Sequence, residues 1–119
     1  MDLKEFYVRV GGSYDSIMGR LMKEDRIKKY VYKFIDDTSY ETLCRSMEEN
    51  NIEEAFRAAH TIKGLCQNLD FLTLFQSSNN MSEALRNGKA DNADSILEQV
   101  KKDYELTLTA IKELKAEEA

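Results

Sequence analysis

The chain has 119 residues, no proline, five glycines and a formal net charge of −5, and good helix formers such as Ala, Leu, Glu and Lys are frequent. This length fits one domain with a core of its own, so we expect a single all-α domain over residues 1–119. Interleaved acids and bases exclude the basic face of a nucleic-acid-binding protein. No apolar run approaches the ~20 residues of a membrane span, and no signal segment opens the chain, so we expect a cytoplasmic protein without a membrane anchor.

Two short amphipathic helices are predicted at the start of the chain. Apolar residues of the first recur at helical spacing, namely Leu3, Phe6, Tyr7 and Val10. Gly11 and Gly12 end this helix, because glycine accepts the positive φ of a helix C-terminus. Ser13 can cap the second helix, which carries Asp15 in its first turn, where negative charge is favoured. The apolar residues of that helix are Tyr14, Ile17, Met18 and Leu21.

A stronger helical pattern follows from Glu24 to about Asp36. Its apolar positions are Ile27, Tyr30, Val31, Phe34 and Ile35. The sequence Asp36-Asp37-Thr38 does not favour a helix, and Thr38 has capping-box spacing with Glu41, which predicts a new helix running to about Asn50. The pattern leaves open whether the two segments form one kinked helix or two.

The middle of the chain contains the helix with the only histidine of the protein. Asn51, with Glu54 three residues later, predicts its start by the same capping pattern, and the helix runs to about Leu69. Asp70 breaks or caps this helix, and Phe71 begins the next one.

The last helices complete a bundle. Asn87-Gly88 is a C-terminal stop signal, and Asp91 is predicted to cap a long final helix whose tail, Glu117-Glu118-Ala119, frays. The pattern therefore gives four substantial helical units with short joints, which make neighbouring helices antiparallel. We expect an up-down four-helix bundle with short additional N-terminal helices.

The segment Ala55–Leu69 separates its apolar and polar residues clearly. At roughly 100° per residue, the core face consists of Ala55, Ala58, Ala59, Ile62, Leu65, Cys66 and Leu69. His60 lies almost opposite this face, and Gly64 follows one turn later in line with it. The polar face is completed by Arg57, Lys63 and Gln67. This phase predicts an exposed histidine.

Metal chemistry does not fit this histidine. Structural zinc needs four ligands and catalytic zinc three, and di-iron bundles place Glu three residues before His, where this chain has Arg57. The two cysteines, Cys44 and Cys66, fall on apolar helical faces and are predicted to be buried reduced thiols. We therefore expect no metal and no other cofactor on this chain.

Hydrolytic and kinase chemistry are also disfavoured. A histidine base needs a positioned nucleophile, and no motif places Thr61 or Ser82 in that role. No glycine-rich phosphate loop is present, so we expect no nucleotide site.

A nucleophilic histidine remains. An imidazole near neutrality has a free lone pair, and on a solvent-facing helix a partner's active site can reach it and place a phosphoryl group on nitrogen. Gly64 leaves room for that partner, and a mid-helix glycine normally costs about 1 kcal/mol, so it has a reason other than stability. Lys63 and Arg57 can offset the added charge, and Gln67 can donate a hydrogen bond.

Each of these features also has an ordinary explanation. A single histidine on the surface usually has no function. Basic residues on a polar helix face usually only keep that face in contact with water. A glycine within a helix can allow close packing against another helix. The combination of His60, Lys63 and Gly64 on one strip, opposite a continuous core face, favours the functional interpretation.

The segment Ala59-His60-Thr61-Ile62-Lys63-Gly64, followed by Leu69-Asp70, resembles the core motif of the histidine phosphotransfer (Hpt) domains of two-component phosphorelays. The resemblance extends from about Tyr14 to the last helix and includes Ala84–Gly88. It implies a four-helix bundle whose His60 carries a phosphoryl group between receiver-domain aspartates. It also implies that Lys63 screens charge and that Gly64 clears the docking path.

Some positions depart from the family pattern. Asp70 replaces the usual glycine, and Leu65 and Cys66 stand where small residues are common. The family often has a polar or acidic group near the site on the neighbouring helix, and Asn79 and Ser82 are the candidates here.

The resemblance further implies a partner that supplies the acidic pocket and magnesium, either a response-regulator receiver domain or one within a hybrid sensor kinase. This chain would be a monomeric phosphocarrier with no kinase activity of its own, and the sequence leaves open whether it should be called an enzyme. Two alternatives remain. One is a non-catalytic helical adaptor that binds a receiver or another signalling partner, and the other is an enzyme that hydrolyses receiver phosphate with the help of Gln67.

Overall fold

The computed structural model describes residues 1–118, which form seven α-helices and one 3-10 turn without any β-strand. The helices are α1 (Leu3–Arg9), α2 (Tyr14–Leu21), α3 (Glu24–Lys33), α4 (Ser39–Glu48), α5 (Ile52–Leu69), α6 (Leu72–Leu85) and α7 (Ala93–Glu118). The 3-10 turn, Phe34–Asp36, extends α3. The predicted all-α class is confirmed. Among these helices, none has both the length and the apolar character that crossing a bilayer requires.

Four of the helices form the bundle that the sequence predicted. Helix α5 packs against α4 on one side and α6 on the other, and α6 packs against α7. The rings of Tyr40 on α4 and Tyr104 on α7 stack at 3.7 Å between centroids and close the arrangement. Helices α1 and α3 both pack against α7, so the short N-terminal helices are part of the same body.

An aromatic cluster around Phe71 joins the N-terminal helices to the bundle. Phe71 lies in the joint between α5 and α6 and is fully buried. Phe6 of α1 and Phe34 of the 3-10 turn each meet its ring edge-on, with centroids 5.8 Å and 5.3 Å away. Edge-to-face packing is a favourable arrangement for aromatic rings. The core is therefore shared between the first helices and the bundle.

Several predicted helix ends are confirmed. Gly11 has a φ of +75° after α1, and the Ser13 hydroxyl accepts a hydrogen bond from the Ser16 amide at 3.1 Å. At the start of α5, the Asn51 side chain accepts a hydrogen bond from the Glu54 amide at 3.2 Å. These side chains satisfy amides that have no partner within their helices.

The joint between α3 and α4 differs from the expectation. The chain forms two separate helices, because Asp37 adopts an extended conformation with ψ of 135°. The predicted capping box of Thr38 and Glu41 is wrong, since the Thr38 side chain makes no capping hydrogen bond. The Asp37 carboxylate instead accepts a hydrogen bond from the Ser39 amide at 2.8 Å.

The ends of α7 also differ. The helix begins at Ala93, and the Ile96 amide donates to the Asn92 carbonyl at 3.1 Å, so Asn92 occupies the cap position predicted for Asp91. The predicted fraying of the tail is wrong for Glu117 and Glu118. Glu118 contacts both Lys28 and Tyr32 of α3, and Glu117 contacts the amino group of Met1. Ala119 lies outside the described residues.

Asp70 connects the turn between α5 and α6 to the N-terminal segment. Its φ of 62° is left-handed, a conformation that glycine adopts freely and Asp tolerates. The Asp70 carboxylate accepts a hydrogen bond from the Ser13 amide at 2.6 Å, and the buried Tyr7 hydroxyl donates to the Leu69 carbonyl at 3.0 Å. Burial raises the pKa of Tyr7, so the hydroxyl stays protonated and remains a donor. Asp70, at the position where the family usually has glycine, therefore makes a contact with Ser13, a residue distant in the sequence.

Replacing Asp70 with alanine is expected to destabilise the fold by about 1–3 kcal/mol, because the Ser13 amide loses its partner and alanine tolerates the left-handed φ less well. Asp70→Asn should lose much less, since the amide oxygen can accept the same hydrogen bond. Urea unfolding followed by circular dichroism measures both variants. Equal losses in the two would contradict this role for the hydrogen bond.

Candidate functional site

The single histidine lies on the solvent-exposed face of its helix, as the spacing of the apolar residues predicted. His60 is exposed on α5, while its neighbours Ala59 and Ile62 are buried at 0% and 1% exposure. Leu65, expected in the core, is only partly buried. The core face of α5 thus turns its apolar residues into the bundle and leaves the imidazole at the surface.

Among the described residues, the imidazole of His60 has one neighbouring ring and no polar partner. The Phe56 ring lies one helical turn earlier on α5, 6.0 Å away between centroids and inclined by only 22°. Within residues 1–118, no group hydrogen-bonds or ion-pairs with the His60 side chain. Both ring nitrogens are therefore available to a docking molecule.

Gly64 leaves open space beside this ring. A Cβ atom built on Gly64 meets no other atom within 4 Å. By contrast, a Cβ on Gly12 would lie 2.0 Å from the Asp70 carbonyl oxygen, so that glycine is required by packing. Close helix packing therefore does not explain Gly64, and the space above it is free for a partner.

The other polar residues of α5 differ in their exposure and in whether their side chains already have a partner. Lys63 is half-buried, and in the described chain its ammonium group has no hydrogen bond or ion pair. Arg57 is exposed and donates to the Glu53 carboxylate at 2.8 Å. Gln67 is exposed one turn beyond Lys63, on the polar face as predicted. Lys63 is thus the more available of the two cations on this helix.

The two candidates on α6 lie in different environments. Asn79 is partly exposed, so its amide can reach solvent. Ser82 is fully buried, and its hydroxyl has no hydrogen-bond partner within residues 1–118. Ser82 therefore does not belong to the exposed surface around His60.

The sequence pattern did not reveal three neighbours of His60, namely Glu83 of α6, Arg86 directly after this helix, and the Phe56 ring. Arg86 donates two hydrogen bonds to the Glu83 carboxylate, at 2.8 Å and 3.2 Å, and its guanidinium carbon lies 5.4 Å from the centre of the Phe56 ring. Arg86 lowers the pKa of Glu83, and the nearby charges of Lys63 and His60 lower it further. The acid–base spacing of three residues on α6, and the aromatic residue one turn before the histidine, were the available signals.

The cysteines and the acids form no metal centre in the part of the chain that the structure describes, where no three His, Cys, Asp or Glu side chains come together. Both cysteines are free thiols, as predicted, but only Cys66 is buried, while Cys44 is half-buried. Burial raises the pKa of each thiol, which favours the protonated form.

A model of the Hpt domain family matches residues 37–114, which include α4, α5, α6 and most of α7. The match spans more than half of the chain, and the protein belongs to the Hpt domain family. It begins later than the resemblance near Tyr14 suggested, so α1–α3 lie outside it. Comparison with curated proteins and with solved structures gave no match.

Proposed function

We propose that this chain is a histidine phosphotransfer protein that accepts a phosphoryl group on His60 from a receiver-domain aspartate and donates it to another. Membership of the Hpt family implies a phosphotransfer role in two-component signalling. The observation that carries the specific proposal is the exposure of the only histidine next to the open space at Gly64. The receiver would dock on this face of α5.

The proposed reaction needs little from this chain beyond a positioned nucleophile. The imidazole nitrogen with the lone pair forms the N–P bond while the O–P bond of the aspartyl phosphate breaks. The aspartate carboxylate leaves with the electron pair, and the proton on the other ring nitrogen passes to solvent. Phosphoryl transfer depends mainly on positioning and on charge stabilisation. In this proposal the receiver supplies the magnesium ion and the acidic pocket.

The neighbouring residues have proposed roles that follow from their environments. The ammonium group of Lys63, which has no ion pair within residues 1–118, offsets the charge of the phosphoryl group. Gln67 and Asn79 offer exposed amides that can hydrogen-bond with the docked receiver. Arg57, already paired with Glu53, contributes mainly to the charge of the surface. We propose that the chain acts as a monomer in this role.

The test is transfer from a receiver domain that has been loaded with a small acyl phosphate. The expected product is a label on this chain that is stable in base and labile in acid, because phosphohistidine has that behaviour and aspartyl phosphate is labile in base. A chain that takes no such label from any receiver of its host does not have the proposed function.

A further inference from the structure

Glu83 lies in the last turn of α6 and Arg86 directly follows this helix, and the pair is close to the proposed phosphorylation site. Arg86 Nη2 and Nε donate to the two carboxylate oxygens of Glu83, so one edge of the guanidinium is held by the carboxylate. Both side chains are about half exposed, at 46% for Arg86 and 53% for Glu83.

Phe56 connects this pair to His60. Its ring faces the imidazole at 6.0 Å and the guanidinium of Arg86 at 5.4 Å, the latter within the range of a cation–π contact. The three groups therefore form one surface cluster built from α5 and α6. Arginine is also the side chain best suited to binding phosphoryl oxygens, because its planar donors match them in pairs.

Phosphorylation changes the charge balance of this cluster. A phosphoryl group on His60 adds between one and two negative charges at neutral pH. Arg86 then carries the opposite charge and Glu83 the same charge as the new group. The carboxylate of Glu83 also occupies two of the five N–H donors of Arg86, a pair that could otherwise bind phosphoryl oxygens.

We propose that Glu83 sets the phosphoryl-transfer equilibrium of His60, by repelling the phosphoryl group and by engaging two donors of Arg86 that could bind it. This inference rests on the proposed function of His60. Glu83 acts as a positioning residue, through Arg86, and keeps phosphohistidine a ready donor. Arg86 acts in the opposite sense, as the cation that stabilises the phosphorylated form.

The test is the equilibrium ratio of phosphorylated to free chain when it is mixed with a phosphorylated receiver domain, read on phosphate-affinity gels. Glu83→Gln should raise the phosphohistidine fraction, with an equilibrium constant about three- to tenfold higher at low salt, because a like charge is removed and Arg86 is released. Arg86→Gln should shift the constant by a similar factor the other way. Both shifts should shrink at 0.5 M salt, because the groups are exposed and screened.

Glu98→Gln is the matched control. Glu98 forms the corresponding pair with Lys101, three residues later at 3.4 Å, on the surface of α7. This substitution changes the net charge by the same amount and should leave the constant unchanged. Glu83→Asp, which keeps the carboxylate, should stay within twofold of the parent chain. The urea midpoint should not move in any variant, since exposed ion pairs add little stability.

The outcomes separate this inference from the proposed function. If the parent chain takes no phosphoryl group on His60, the proposed function fails. If it does, but Glu83→Gln gives the same constant as Glu98→Gln or a lower one, the function stands and the role of Glu83 is wrong. A shift caused equally by Glu83→Asp and Glu83→Gln would also overturn it, because the charge would then not be the cause.

Discussion

The His60→Gln variant is expected to lose phosphoryl uptake completely while keeping its fold. Glutamine has no basic nitrogen with a lone pair, and the protein contains no second histidine to replace it. The side chain of His60 is exposed and has no hydrogen bond in the described residues, so the free energy of unfolding should change by less than about 0.5 kcal/mol. Labelling from a phosphorylated receiver measures the first expectation, and urea unfolding measures the second.

The same variant distinguishes the phosphocarrier from an adaptor. Receiver binding, measured by calorimetry, should survive in His60→Gln because the docking face is otherwise unchanged. Signalling output in cells should be lost if the signal is transmitted by the phosphoryl group. Output that persists in a variant that still binds the receiver would favour a non-catalytic adaptor, and an acid-labile label on the variant would show that His60 is not the acceptor.

Gly64→Gln is expected to slow phosphoryl transfer by about 100-fold or more without harming the fold. In the free chain a side chain at this position meets only open space, and a residue with good helix propensity should add about 0.5–1 kcal/mol to the free energy of unfolding. In the complex, the glutamine side chain would fill the space that the docked receiver needs. Displacing a reacting group by about 1 Å can slow a reaction 100-fold. Rapid-quench transfer assays and urea unfolding measure the two opposite effects.

Gly19→Gln provides the matched control for this experiment. Gly19 is an exposed glycine in the last turn of α2, and a Cβ there also meets nothing within 4 Å among the described residues. Its substitution should give a similar gain in stability with no loss of transfer. If Gly64→Gln transfers as fast as Gly19→Gln, then the open space beside His60 is not the docking path.

The helices were predictable because each one carries a local pattern that repeats along it. The apolar positions of α5 fix which side faces the bundle, and Asn51 satisfies an amide only three residues away. The predictions of helix ends failed where two nearby residues could each cap the same helix. Thr38 and Asp37 can both cap the start of α4, and only the extended backbone at Asp37 decides between them. The role of Asp70 depends on Ser13, a partner 57 residues away that no local pattern reveals.

The candidate site was predictable only as far as it lies on one helix. His60, Lys63 and Gly64 share a face of α5, which the spacing along the chain defines. Glu83 was missed because its position depends on how α6 is rotated against α5. Ser82 and Glu83 are adjacent, yet a step of about 100° around the helix places one in the core and the other at the surface.

The region that matches the family, residues 37–114, is shorter than the region that folds as one unit. Residues 37–114 include His60, but Phe6 and Phe34, which surround Phe71, both come from before residue 37. A fragment trimmed to the matched region would expose that ring to water and leave the Asp70 carboxylate without the Ser13 amide. Whoever transplants this phosphoacceptor helix into a chimaeric signalling protein should carry residues 1–36 along with it.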